Sequence, residues 1–192
     1  IKNTISDWLS SNGFSEMMSN SLTKSGYHEI IDSSQLNPAH NVKMLNPLSK
    51  DLDVLRQSLV FNGLEAISYN TNRRNADLKL YEFGKTYHKY ESGFEEKQFL
   101  TLFLTGKNES ENWDNPSNEV SFFNAKQVLE NVLIRLGIFK NYQVSETKND
   151  CLNQGISYSI NKNKVADIGS LNGEIANAFS IKNKVYFKAE IL

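Results

Sequence analysis

Residues 78–105 read LKLYEFGKTYHKYESGFEEKQFLTLFLT. Leu78 to Tyr90 is rich in Leu, Tyr and Phe, residue types that fit a pleated, half-buried surface, with Gly84 in the middle. It predicts two strands or one bent strand, and residues 99–105 predict another. The same pattern recurs downstream. Residues 155–160 and 164–168 flank Asn161-Lys162-Asn163, a hairpin turn by composition, and Val185 to Ile191 makes a last strand. Strands that follow one another through turns, with helices grouped outside, imply an α+β fold with a mainly antiparallel sheet flanked by helices.

The helices are read from period. Within residues 122–136, Val128, Leu129, Val132, Leu133 and Leu136 form an apolar stripe that Gly137 stops. Ile1, Ile5, Trp8 and Leu9 recur at helical spacing, Asn12-Gly13 supplies the stop, and residues 14–22 then read as extended. Residues 23–40 are polar and irregular. A short apolar strand follows around Val42, Met44 and Leu45, and Asn46-Pro47 breaks it. Leu52, Leu55, Leu59, Leu64 and Ile67 suggest one or two helices up to about Asn70, interrupted near Asn62-Gly63, and a further short helix is expected over 173–179.

With 192 residues, 39% of them hydrophobic, the chain carries enough apolar material for a core without a disulfide or metal staple, and one domain over residues 1–192 is expected. The single cysteine, Cys151, could not form an intramolecular disulfide. A net charge of -1 speaks against a broad electrostatic grip on nucleic acid and leaves room for local basic patches. No apolar run approaches the length of a membrane span and no secretory signal pattern opens the chain, so a reducing cytoplasmic setting is expected. The chain starts at Ile1 on a helical pattern, which suggests an excised piece of something longer. Without a secretory signal, the formal glycosylation sequon Asn108-Glu109-Ser110 is idle.

Familiar catalytic motifs are missing. Gly106-Lys107 fails as a P-loop, because Thr101 stands where the first glycine belongs and Asn108 where the magnesium-holding hydroxyl belongs. His28, His40 and His88 are scattered, so with Cys151 they offer no zinc spacing. Cys151 reads as a buried small apolar residue rather than a nucleophile. Asp51/Asp53 and Glu95/Glu96 read as solvated or helix-start carboxylates. Composition and spacing alone reach a soluble α+β domain with no visible catalytic centre.

One block is more specific. Asn46-Pro47-Leu48-Ser49, Asp51, Val54-Leu55-Arg56, Ser58-Leu59, Gly63-Leu64 and Asn70 to Arg73, running into Leu80-Tyr81-Glu82-Phe83-Gly84, resembles the core of the phenylalanyl-tRNA synthetase β subunit. The resemblance extends to Gly13-Phe14-Ser15-Glu16, to Phe122-Phe123 with Lys126, and to Ile168-Gly169 through Glu174 to Phe179-Ser180-Ile181-Lys182. It implies a domain like a class II synthetase catalytic core that has lost its catalytic residues. Residues 1–12 and 14–22 look like class II motif 1, the interface unit, with Asn20 in place of its proline. His88 falls where motif 2 delivers an arginine to the ATP α-phosphate; imidazole is largely neutral at pH 7 and lacks the guanidinium fork. Val185-Tyr186-Phe187-Lys188-Ala189-Glu190-Ile191 has neither the glycine nor the arginine of motif 3.

By that resemblance the chain has no catalytic, cofactor or metal residues of its own. ATP and magnesium serve a complex with a catalytic α subunit in an (αβ)2 assembly that charges tRNA(Phe). Trp8, Phe14, Met17 and Met18 are the candidate interface residues, with ordinary core packing the equally weighted reading. The alternative is an independent nucleotide-binding ligase that kept the sheet and uses Arg56, Arg73 or Arg74.

Overall fold

The computed structural model describes residues 1–30, 36–47, 49, 51–109, 113–114, 118–138 and 141–191, the side chains of residue 30 and of 188–191 excepted. Leu48 of the family-like block, Ser110 of the sequon and the motif 3-like side chains from Lys188 to Ile191 therefore lie outside the described residues.

In chain order the elements are α1 (Lys2–Ser11), β1 (Ser15–Glu16), β2 (Leu22–Thr23), α2 (Tyr27–Ile30), a 3-10 turn (Pro38–His40), β3 (Val42–Lys43), β4 (Val54–Leu55) and α3 (Val60–Thr71). The long hairpin β5 (Leu78–Tyr90) and β6 (Gly93–Thr105) follows, then α4 (Phe122–Arg135), β7 (Gln143–Glu146), β8 (Leu152–Ile160), β9 (Asn163–Leu171), α5 (Gly173–Ala178) and β10 (Val185–Ile191). Among the described residues the main sheet runs β1-β5-β6-β10-β9-β8-β7, and a small one runs β2-β4-β3. Every pairing is antiparallel except β1 against β5.

Both faces of the main sheet are covered, so its strands are apolar on both sides at the centre. One face packs Leu78, Leu80, Phe103 and Phe187 against Phe61, Leu64 and Ile67 of α3 and Ile175 of α5. The other packs Tyr81, Leu100, Leu102 and Ile168 against Ile5 and Leu9 of α1 and Leu129, Val132 and Leu133 of α4. We call these the α3 face and the α1/α4 face. The two-residue alternation of a strand sends successive side chains of β5 and β6 to opposite faces.

Local chemistry explains the element ends. Ser121 caps α4: its hydroxyl accepts from the Asn124 amide, and the Asn124 side chain accepts from the Ser121 amide. Gly106, at φ +75, turns the chain out of β6, where a Cβ would come 2.3 Å from Asp77 Oδ1.

Several expectations need correction. Of the two readings of 78–90 the two-strand one fails: β5 is a single strand, with Gly84 paired to Phe99 in unbroken register. The 52–70 segment is not helical from its start: Val54–Leu55 is a strand and the helix begins at Val60. Asn62-Gly63 does not interrupt that helix. Gly63 is there because a Cβ would come within 2.1 Å of the Phe103 ring, so the glycine is a close-packing point of α3 on the sheet. Of residues 14–22, only 15–16 and the end at 22 are strand. The polar first half of β6 and all of β7 lack the apolar pattern that signals a strand, and cross-strand pairing forms them nonetheless.

Candidate interface and the residues of the expected nucleotide site

Glu82 and Gly84 project from β5 toward the α3 face, and Arg56, just after β4, lies against them. The Arg56 Nη1 donates to Glu82 Oε1 at 2.7 Å, and Nε donates to the Lys85 carbonyl at 3.0 Å. Ser19 Oγ donates to the second Glu82 oxygen at 2.9 Å. The Tyr87 amide returns a bond to the Arg56 carbonyl at 2.9 Å. The two charged side chains are 4% and 3% exposed. A Cβ on Gly84 would lie 2.4 Å from Arg56 Nη2 and 2.5 Å from Leu59 Cδ2, so glycine makes the room for the guanidinium.

This unit joins the central residues of the family-like block, Arg56, Leu59, Glu82 and Gly84. A buried charge pair costs desolvation and repays it only when both partners are satisfied, as they are here. Arg56 is therefore committed inside the fold. Sequence reasoning offered Arg56 as a ligand-reaching residue and missed Glu82 as its partner. The signal was present: a carboxylate in the apolar run Leu80-Tyr81-Glu82-Phe83 needs a buried cation.

Arg73 and Arg74 sit elsewhere, exposed after the end of α3. Arg73 Nη1 donates to the Tyr69 carbonyl at 3.0 Å, and its guanidinium carbon stacks 3.3 Å from the Tyr69 ring centroid. The structure thus separates them from Arg56 and from the middle of the sheet.

His88 occupies the expected arginine position on β5, on the same face as Gly84 and opposite Glu95 of β6. It is half-buried, and its ring stacks on Tyr90, 6.0 Å between centroids at 12°. His40 of the 3-10 turn also packs on that tyrosine, tilted by 57° with 4.6 Å between centroids. Burial holds the His88 imidazole below its ordinary pKa, with Glu95 opposing and Lys97 and His40 adding to the shift. Its Nδ1 is buried without a hydrogen-bond partner among the described residues. A neutral ring lying against an aromatic neighbour does not supply the positive, two-pronged grip a phosphate requires.

On β10, the strand at the motif 3 position, Phe187 faces the α3 side and stacks on Phe103 at 6.2 Å. His28 is elsewhere, its Nδ1 against the Ser25 carbonyl, and Cys151 is buried in the α3-face cluster. Asp53 accepts from the Ser25 amide at 2.8 Å. Its carboxyl lies below the usual range because the Ser25 hydrogen bonds and Lys43 together outweigh the opposing desolvation. Glu95 and Glu96 lie in β6 and pair with Lys97 and Lys85.

The candidate interface residues divide. Phe14 is 5% exposed and packs with the α1/α4 face, so it belongs to the core. Trp8 is half-buried against the same cluster, with the Arg135 guanidinium 4.3 Å from its ring centroid. Met17 is partly covered by the other cluster. Met18 is 94% exposed, and Ile1 at the start of α1 is 88% exposed. Asn20 takes the proline's place in the motif 1-like unit with a side-chain turn, its Oδ1 accepting from the Leu22 amide at 2.9 Å.

A family model described as the phenylalanyl tRNA synthetase beta chain CLM domain matches residues 1–191. A phenylalanine–tRNA ligase beta subunit of Bacteroides thetaiotaomicron is 35% identical over 97% of this chain and 24% of the relative. The namesake of Thermotoga maritima is 27% identical over 95% of this chain and 23% of the relative. The chain thus spans about a quarter of the length of the curated relatives it matches. Among solved structures, the pyrrolysyl-tRNA synthetase of Desulfitobacterium hafniense superposes with a TM-score of 0.71 at 15% identity, over 99% of this chain and 64% of that one. That likeness establishes a shared fold.

Proposed function

Because the chain belongs to the phenylalanyl-tRNA synthetase beta-chain family, we propose that residues 1–192 form one non-catalytic core module of a ligase subunit. It supports ATP-dependent charging of tRNA(Phe) with phenylalanine by packing against a catalytic α subunit in an (αβ)2 assembly in the cytoplasm. ATP and magnesium are handled by the assembled enzyme rather than by this chain.

The carrying observation is what stands where a class II nucleotide site is expected. The arginine position holds His88, kept neutral by burial and stacked on Tyr90. Arg56, which packs against Gly84 of the same strand, is held by Glu82. With its buried ion pair satisfied internally, the sheet serves in this reading as a support and contributes shape rather than chemistry.

The surface offered to the partner includes the exposed Met18 and Ile1; Trp8, against the α1/α4 face, and Met17, against the α3-face cluster, are each half-covered. Association on such residues is favoured by the apolar area removed from water. Affinity capture of the tagged chain in its own cells, with the recovered proteins identified by mass, tests the reading. Recovery of the ligase α subunit in near-equal amount is expected. Recovery of the full-length subunit's other partners without α would overturn it.

A further inference from the structure

Lys24, Lys85, Lys97, Lys126 and Lys164 each hold a carboxylate, at 2.5 to 3.8 Å. Among the described residues Lys2, Lys89, Arg135, Lys148 and Lys162 are exposed without a carboxylate and lie apart along the chain. Arg73, Arg74, Lys182 and Lys184 also hold none among the described residues, and all four are exposed.

The topology gathers these four at one end of the sheet. Arg73 and Arg74 follow the C-terminus of α3, and Lys182 and Lys184 lie between α5 and β10. Both helices pack into one cluster, where Ile67 joins Ile175 and Ile181. Leu78 pairs with Thr105, which pairs with Val185, so the starts of β5 and β10 are two strand spacings apart, roughly 10 Å. Asp77, in the same connection as the arginines, accepts from the Lys107 amide at 2.7 Å.

The remaining surface of this rim is polar. Asn72, Asn75 and Asn183 are exposed between the cations. Tyr69, 57% exposed, lies beneath the Arg73 guanidinium as a flat stack. A protein partner is anchored by Trp, Tyr or Arg side chains packed into fully desolvated pockets, whereas the cations and amides of this rim are exposed. Cations, amides and a stacked Arg-Tyr pair instead match a sugar-phosphate backbone, with phosphates on the cations and an unpaired base beside the stack.

We propose that Arg73, Arg74, Lys182 and Lys184 form a contact for the phosphate backbone of RNA. The proposal rests on the reading that this chain works within a tRNA ligase. It places the RNA at the end of the sheet opposite the β5–β6 turn, away from His88.

The test uses the complete ligase complex carrying Arg73→Ala, Arg74→Ala, Lys182→Ala and Lys184→Ala together. Binding of a tRNA(Phe) transcript is followed by fluorescence anisotropy across a salt series, with phenylalanine-dependent ATP–pyrophosphate exchange as the readout of assembly. The slope of log affinity against log salt is expected to become shallower by about three to four, with at least about a tenfold loss of affinity at low salt and unchanged exchange. A charge-keeping Arg73→Lys/Arg74→Lys variant retains the slope. Unchanged slope and affinity with exchange intact overturn the RNA contact and leave the module's assignment standing. Loss of the α subunit on gel filtration, with the slope of the remaining complex unchanged, overturns it in favour of an acidic protein surface. A parent complex in which this chain assembles with no α subunit undercuts the assignment itself.

Discussion

At the scale of single residues the molecule turns on Arg56, Glu82 and Gly84. Removing one member of a buried ion pair strands the other charge, so Glu82→Ala is expected to lower unfolding free energy by about 3–5 kcal/mol in urea denaturation. A loss within about 1 kcal/mol, the scale of a surface pair, would contradict the buried role. Gly84→Ala is expected to cost about 1–3 kcal/mol, because its Cβ displaces the guanidinium or Leu59. His88 adds a pH dependence with a defined sign. Its folded pKa is lower than the unfolded value, so between the two the unfolded chain binds more protons. Stability from His88 is complete above the ordinary histidine value of about 6.5 and declines as pH falls below it. Urea midpoints measured from pH 7.5 to 5 in parent and His88→Gln should converge at the acid end; parallel curves would sink this assignment. The sequence made these residues visible one at a time, through the family-like block, but not their mutual contact. A 26-residue separation between Arg56 and Glu82 is closed only by tertiary structure.

At the scale of elements, α4 was readable because its apolar stripe and its terminal Gly137 agree, and the structure adds the Ser121 cap. The cap gives a measurable contribution: Ser121→Ala is expected to cost about 1 kcal/mol by thermal or urea unfolding, and no loss would mean that the cap is redundant. α3 shows the opposite case. Local propensity treats Gly63 as a helix breaker, and alanine in a helix interior is worth about 1 kcal/mol over glycine. Contact with Phe103 reverses the sign, because a Cβ 2.1 Å from that ring forces the helix away from the sheet. Gly63→Ala is therefore expected to destabilise by about 1–3 kcal/mol despite its propensity gain. A stabilised variant would show that the helix moves freely. Strands β7 and the first half of β6 were illegible for a related reason. Their residues are polar, and only the neighbouring strand specifies their extended form.

At the scale of the whole molecule, the α+β class and the antiparallel sheet follow from strands succeeding one another through turns. The role proposed for that sheet was legible only through the resemblance, since the sequence carries none of the familiar catalytic motifs. The internal pairing of Arg56, the stacked His88 and the Phe103–Phe187 pair are the observations on which the proposed non-catalytic role rests. The most direct measurement is the melting temperature of the purified chain across a magnesium–ATP titration. A protein that binds the nucleotide gains about 2.7 kcal/mol at a concentration a hundred times its Kd. The non-catalytic account expects no shift at any ATP concentration; a melting temperature that climbs steadily with ATP, and falls back when ATP is removed, would contradict it.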